Sequence, residues 1–141
     1  MEFMSKSTLE TQSIAAAITR KLPAGSVIAF SGDLGAGKTC FSHGVCEALR
    51  FKGEVSSPTF AIVNVYEGGK MPIYHFDMYR ISGWEDLETT GYFDYLDRAD
   101  GIILVEWSEN IAAALPENAV RVAIHKLSDS DRKIVVEGGG F

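Results

Sequence analysis

The segment Gly32-Asp33-Leu34-Gly35-Ala36-Gly37-Lys38-Thr39 constrains what this chain can fold into more than any other stretch. Gly32 and Gly37 let the backbone turn tightly with no Cβ in the way. Just before it, Val27-Ile28-Ala29-Phe30-Ser31 is a short apolar run that reads as a buried strand. Just after it, Phe41, Val45, Ala48 and Leu49 fall on one stripe of a helix. Strand, glycine-rich turn and helix, in that order, frame a phosphate-binding loop. In such a loop the N–H groups of Gly35, Ala36, Gly37, Lys38 and Thr39 converge on an anion, assisted by the positive end of the helix. Lys38 adds a point charge for the β- and γ-phosphate oxygens, and the Thr39 hydroxyl is a magnesium ligand. The expectation is a nucleoside triphosphate with Mg2+, held by Asp33, Leu34, Gly35, Ala36, Gly37, Lys38, Thr39 and Cys40.

Magnesium bound in this way needs a carboxylate at the end of an apolar strand near the loop. Two residues qualify. Glu106 closes Ile102-Ile103-Leu104-Val105, and Asp77 closes Ile73-Tyr74-His75-Phe76. A solvated charge at a strand end is the plainer reading of each alone, but two such endings beside one P-loop favour both lining the nucleotide site, and the pattern leaves open which serves the metal. Thr59, in Ser56-Ser57-Pro58-Thr59, lies in a turn where a hydroxyl can meet the γ-phosphate or its metal, as switch segments do. An ordinary Ser-Pro turn is the alternative. His75 reads as a packing histidine, and Trp107 reads as a core residue in preference to a wall of the site.

Absences narrow the chemistry. No Asn-Lys-x-Asp motif for reading guanine occurs, which disfavours a GTPase and favours ATP or ADP as the nucleotide. The chain is short for the lid and acceptor pocket of a small-molecule kinase. Hydrolysis with Lys38, Asp77 and Glu106 as catalytic residues is the favoured reaction. A transition-state arginine contributes about 10³–10⁵-fold in related chemistry, and none is evidently placed for it here. Slow turnover stimulated by a partner is therefore expected. A nucleotide-gated binding module with negligible turnover is the second reading, and a small-molecule kinase the third.

The rest of the chain reads as one α/β domain over residues 1–141, P-loop NTPase-like, with a mixed sheet flanked by helices. Ser7-Thr8-Leu9-Glu10 is a capping box for a helix with Leu9, Ile14, Ile18 and Leu22, stopped by Pro23. Thr59 to Tyr66 and Pro72 to Asp77 form a hairpin around Gly68-Gly69-Lys70. Ser82-Gly83-Trp84-Glu85 opens a short helix that Gly91 ends. Ser108 to Leu115 is a short helix stopped by Pro116, and Ala119 to Leu127 and Arg132 to Glu137 are two strands. No apolar run approaches the roughly 20 residues needed to span a bilayer. The first six residues lack a signal pattern, so a soluble cytoplasmic protein is expected, monomeric or weakly self-associating. Cys40 and Cys46 stand about 240° apart around a helix and cannot bridge each other. A net charge of −6 disfavours a direct grip on nucleic acid.

The P-loop together with Ser57-Pro58-Thr59-Phe60, His75-Phe76-Asp77-Met78-Tyr79-Arg80 and Leu104-Val105-Glu106-Trp107-Ser108 resembles the TsaE (YjeE) family. The resemblance runs from about Thr11 to Pro116, with the motifs in family order. It implies a compact αβα fold and ATP hydrolysis coupled to the TsaB–TsaD complex in tRNA threonylcarbamoyladenosine formation, with tRNA met only indirectly. It further implies Thr39 and Glu106 on magnesium, Asp77 near the attacking water, Thr59 as a switch-like contact and Trp107 near the nucleotide. Thr8 and Thr11, in the first helix region, are implied near the adenine. His43 stands where the family pattern has arginine, and Phe60 where it often has tyrosine.

Overall fold

The computed structural model describes residues 1–32, 37–55 and 62–141. Asp33, Leu34, Gly35 and Ala36 lie outside the described residues, as do Ser56, Ser57, Pro58, Thr59 and Phe60. Four strands run parallel at the centre of the sheet: β2 (Val27–Gly32), β4 (Ile73–Asp77), β5 (Ile102–Glu106) and β6 (Val120–Lys126). Three more add antiparallel at its two sides: β1 (Glu2–Ser5), β7 (Arg132–Glu137) and β3 (Val63–Tyr66). The order across the sheet is β1-β7-β6-β2-β5-β4-β3. The predicted mixed α/β sheet is what forms.

Apolar residues occupy both faces of the central strands, as a sheet covered on two sides requires. On one face Ile28, Phe30, Ile102, Leu104, Val122 and Ile124 pack with Ile18 of α1 (Thr8–Thr19) and Phe41 and Val45 of α2 (Lys38–Ala48). On the other, Val27, Phe76, Ile103 and Val105 meet Leu87 of α3 (Trp84–Glu88), Tyr92 of α4 (Tyr92–Arg98) and Ile111 of a 3-10 helix, Ser108–Ala114. The helices α1 and α2 cross closely at Gly44. A Cβ there would collide with the Gln12 carbonyl oxygen and lie 2.7 Å from the Ala15 Cβ. That close approach sets the tilt of α2 and hence where its N-terminal end points.

Local expectations hold in kind and shift in detail. Ser7 Oγ caps α1 by accepting from Glu10 N at 3.1 Å, but Glu10 Oε2 accepts from Lys6 N, one residue outside the expected partner. Leu9 is 74% exposed instead of buried, because α1 rests on α2 through small residues such as Ala15 and Ala16. Ser82 bonds Asp86 instead of closing a box with Glu85: its N–H and hydroxyl both donate to Asp86 Oδ2, which lowers the Asp86 pKa. Beyond Gly91 the chain does not leave helix for good. Gly91 takes a left-handed turn at φ 82° and α4 begins. The first strand, β1, was not anticipated, since its partner β7 lies at the other end of the chain.

Candidate functional site

The strands β2, β5 and β4 end side by side, and open parallel sheets present ligand sites at those ends. The register pairs Ala29 with Val105 and Asp77 with Glu106. Phe30 therefore stands beside Glu106, one step before β2 runs out into the glycine-rich loop. Two bonds lock this edge. The Ser108 hydroxyl donates to the Phe30 carbonyl oxygen at 2.9 Å, and Met78 N–H donates to the Glu106 carbonyl oxygen at 3.0 Å. Asn110 Nδ2 ties the following turn by donating to the Met78 carbonyl oxygen at 2.9 Å.

Strand alternation then sorts the side chains. Ile73, Ile102 and Leu104 face α1 and α2, so His75, Asp77 and Glu106 lie on that same face. Glu106 is buried to 8% exposure, and its Oε2 lies 2.7 Å from Nε2 of the fully buried His75. The other ring nitrogen, Nδ1, lies 3.2 Å from the Tyr66 hydroxyl. His75 is thus no mere packing residue but the partner of a candidate carboxylate. Its position two residues before Asp77 was the available signal, since alternation puts both on one face. Asp77 is half-buried, and its Oδ1 accepts from Tyr79 N–H at 2.9 Å.

Trp107 stands at the edge of the core, half-buried and packed against the cluster that holds Phe76, Val105 and Ile111. Its backbone is left-handed, φ 58° and ψ 43°, a conformation that costs a bulky residue about 1–3 kcal/mol. The turn swings the indole to the end of the sheet, half-buried, with the Tyr79 ring 4.9 Å away. Lys38 Nζ lies 5.3 Å from the indole centroid, within range of a cation–π attraction. Lys38 and Trp107, separated by nearly half of the chain, therefore meet. Gly37 caps α2 with φ 115°, which glycine alone adopts freely, and Thr39 is exposed on the first turn.

A cavity of about 320 Å³ opens beside that helix end. Thr8 and Thr11 line it from α1, Gly37 and Cys40 from α2, and Asp129, Ser130 and Arg132 from the β6–β7 turn. Thr11 is buried and its hydroxyl is engaged with Ser5 Oγ at 2.7 Å, while Thr8 is exposed. The β6–β7 residues were not singled out from sequence. Arg132 shapes this turn, its Nη1 donating to the Ser128 carbonyl oxygen at 2.8 Å and the Asp131 carbonyl oxygen at 3.0 Å. Of the remaining candidates, Asp33, Leu34, Gly35, Ala36 and Thr59 lie outside the described residues, and His43 is exposed on α2.

Cys40 carries a prediction of its own. Its Sγ donates to the Thr8 carbonyl oxygen at 3.3 Å, and burial raises its pKa, with Gln12 and Arg132 pulling the other way. Burial pushes Cys46 further, up to about 12. Because the thiolate is the nucleophile, iodoacetamide is expected to label Cys40 slowly at pH 8. Labelling should accelerate as pH rises toward the raised pKa, with Cys46 left unlabelled in the folded protein. Peptide mapping that found the two labelled alike would contradict the packing of α2.

The donor chemistry of these residues is compatible with magnesium. Among the described residues no group of three or more His, Cys, Asp or Glu could cage a metal. Magnesium does not require such a cage: it is commonly held by one or two protein oxygens together with substrate phosphates and water. A carboxylate at Glu106 and a hydroxyl at Thr39 are hard oxygen donors of that kind.

The family model for the threonylcarbamoyl adenosine biosynthesis protein TsaE matches residues 5–134. A tRNA threonylcarbamoyladenosine biosynthesis protein TsaE of Treponema pallidum is 36% identical over 136 residues, covering 96% of this chain and 99% of its own. The protein of the same name from Bacillus subtilis is 37% identical over 131 residues, covering 93% of this chain and 81% of its own. Among solved structures, Bacillus subtilis YdiB superposes with a TM-score of 0.81 at 31% identity, covering 99% of this chain and 86% of that one.

Proposed function

We propose, from the premise that this chain belongs to the TsaE family, that it binds ATP with magnesium and hydrolyses it slowly, in concert with a TsaB–TsaD complex. The family takes part in tRNA threonylcarbamoyladenosine biosynthesis. One observation supports the nucleotide reading above the others. Lys38 at the head of α2 reaches the indole of Trp107, the residue that follows the Glu106 strand end. Among the described residues no helix is long and apolar enough to cross a membrane.

In this reading the adenosine end sits in the cavity between α1 and the β6–β7 turn, and the phosphates sit over the N-terminal end of α2. The N–H groups of the first turn and the Lys38 ammonium bind phosphate oxygens, the helix end contributing partial positive charge. Thr39 and Glu106 hold magnesium, which when bound neutralises phosphate charge and fixes its geometry. Asp77, whose Oδ1 already accepts from Tyr79 N–H, orients the attacking water from the neighbouring strand end. The Trp107 indole covers the Lys38 ammonium on one side, which strengthens its field at the phosphate. The net charge of −6 fits contact with tRNA only through a protein partner.

Phosphate release from γ-labelled ATP tests the reading. The chain alone should release phosphate slowly, and addition of a TsaB–TsaD complex should raise the rate. ATP binding with no release under either condition would leave a nucleotide-gated module, and label in a small organic product would mean a kinase.

A further inference from the structure

We propose that His75 is a positioning residue whose ring, held by Tyr66, orients the Glu106 carboxylate toward the head of α2. The inference rests on the nucleotide reading for the role of Glu106, and on the geometry for everything else. His75 has no solvent exposure, and Tyr66 has 5%. The two residues come from the antiparallel pair β3 and β4, while Glu106 comes from β5, so the chain of contacts crosses three adjacent strands. Tyr66 is itself wedged by Phe51, ring centroids 5.0 Å apart, and its ring centroid lies 6.0 Å from that of His75.

The chemistry assigns the proton. An ionised carboxylate only accepts hydrogen bonds, so at 2.7 Å from Glu106 Oε2 the His75 Nε2 must carry the hydrogen and donate it. Nδ1 then faces the Tyr66 hydroxyl at 3.2 Å, which fixes the ring against rotation. Glutamate has three rotatable side-chain bonds, and one short charge-assisted bond at Oε2 sets the plane in which Oε1 points. A histidine in contact with a ligating carboxylate does for it what carboxylates do for ligating histidines elsewhere: it orients the ligand and tunes its basicity.

The experiment has a spectroscopic arm and a binding arm. Long-range 1H–15N correlation of the wild-type protein should show the His75 hydrogen on Nε2, and a ring protonated on Nδ1 alone overturns the inference whatever the nucleotide does. In the binding arm, affinity for a non-hydrolysable ATP analogue is measured with magnesium and with EDTA. His75→Leu is expected to lose about 10–100-fold in the magnesium-dependent affinity while the EDTA value stays unchanged. His75→Gln, whose side-chain N–H reaches the same place, should recover most of the loss. Variants that keep the wild-type magnesium dependence overturn the proposal, as does an equal loss with and without magnesium, which would mark a structural role. Should His75→Leu melt too early to assay, Tyr66→Phe carries the test, with a several-fold loss confined to the magnesium condition. A wild-type chain that bound no analogue at all would sink the nucleotide reading, and the hydrogen on His75 would still decide whether the ring holds Glu106.

Discussion

Glu106→Gln is expected to reduce phosphate release from ATP by about 100-fold or more, since metal-borne charge stabilisation is worth several kcal/mol and each 1.36 kcal/mol is tenfold in rate. The substitution is nearly isosteric. The glutamine side-chain oxygen still accepts from His75 Nε2, which lies 2.7 Å from Glu106 Oε2 in the native protein. The backbone at this position stays tied by Met78 N–H, and the Ser108 bond to the Phe30 carbonyl is untouched. Stability should therefore fall by no more than about 1.5 kcal/mol, the net worth of a typical internal hydrogen bond. The separation between a large rate effect and a small thermal shift is what identifies the carboxylate charge as the working element. Nucleotide affinity in EDTA should be unchanged, because no carboxylate–metal contact exists there to lose. If Glu106→Gln released phosphate like the wild type, the metal-side carboxylate would have to be sought elsewhere. Asp77, paired with Glu106 across the strand ends, would be next, and Asp77→Asn measured in parallel decides between them.

How much of this was legible in the sequence depends on the distance over which each interaction acts. The Ser7 cap and the strand–helix frame of α2 involve partners within a few residues, so pattern alone reaches them. The capping of α3 was misread by one residue because Asp86 competes with Glu85 for the same donors, and only geometry settles such a choice. Strand β1 gains its bonds from β7 across nearly the whole chain, which no local signal announces. The site follows the same division. Glu106 and Asp77 were visible as charges ending apolar runs, but their adjacency is a property of the parallel register. His75 was taken for packing because its partner Glu106 comes from another strand, and the face it shares with Asp77 was a hint too weak to name that partner. Trp107 was read as core and does pack against it, but hydrophobicity cannot reveal the left-handed backbone that leaves its indole half-buried within reach of Lys38. The Arg132 side of the cavity joins the ends of two distant segments, and single-sequence reasoning had no basis for it.

Lys38→Ala is expected to weaken ATP binding by about 10–100-fold, because hydrogen bonds to charged groups contribute about 1.5–3 kcal/mol and 1.4 kcal/mol is tenfold in affinity. Lys38 opens α2, and the helix is held from within by Phe41 and Val45, both fully buried, and by its close crossing with α1 at Gly44. Alanine is the better helix former, so the fold has no reason to suffer and the melting temperature should stay close to the wild-type value. The same variant removes the ammonium that lies 5.3 Å from the Trp107 indole. Its emission should therefore differ from wild type before any nucleotide is added, and the change on adding ATP should be reduced in step with affinity. Trp84 is 56% exposed and gives a background signal, so both proteins are best compared with Trp84→Phe in place. Lys38→Arg separates charge from shape: the guanidinium keeps the charge but presents a planar fork in place of a compact ammonium. Partial recovery with arginine would assign the loss in alanine to the charge, and no recovery would assign it to the reach of a single Nζ over α2. An alanine variant that bound ATP as tightly as wild type would mean that the loop lysine faces Trp107 and not the phosphates.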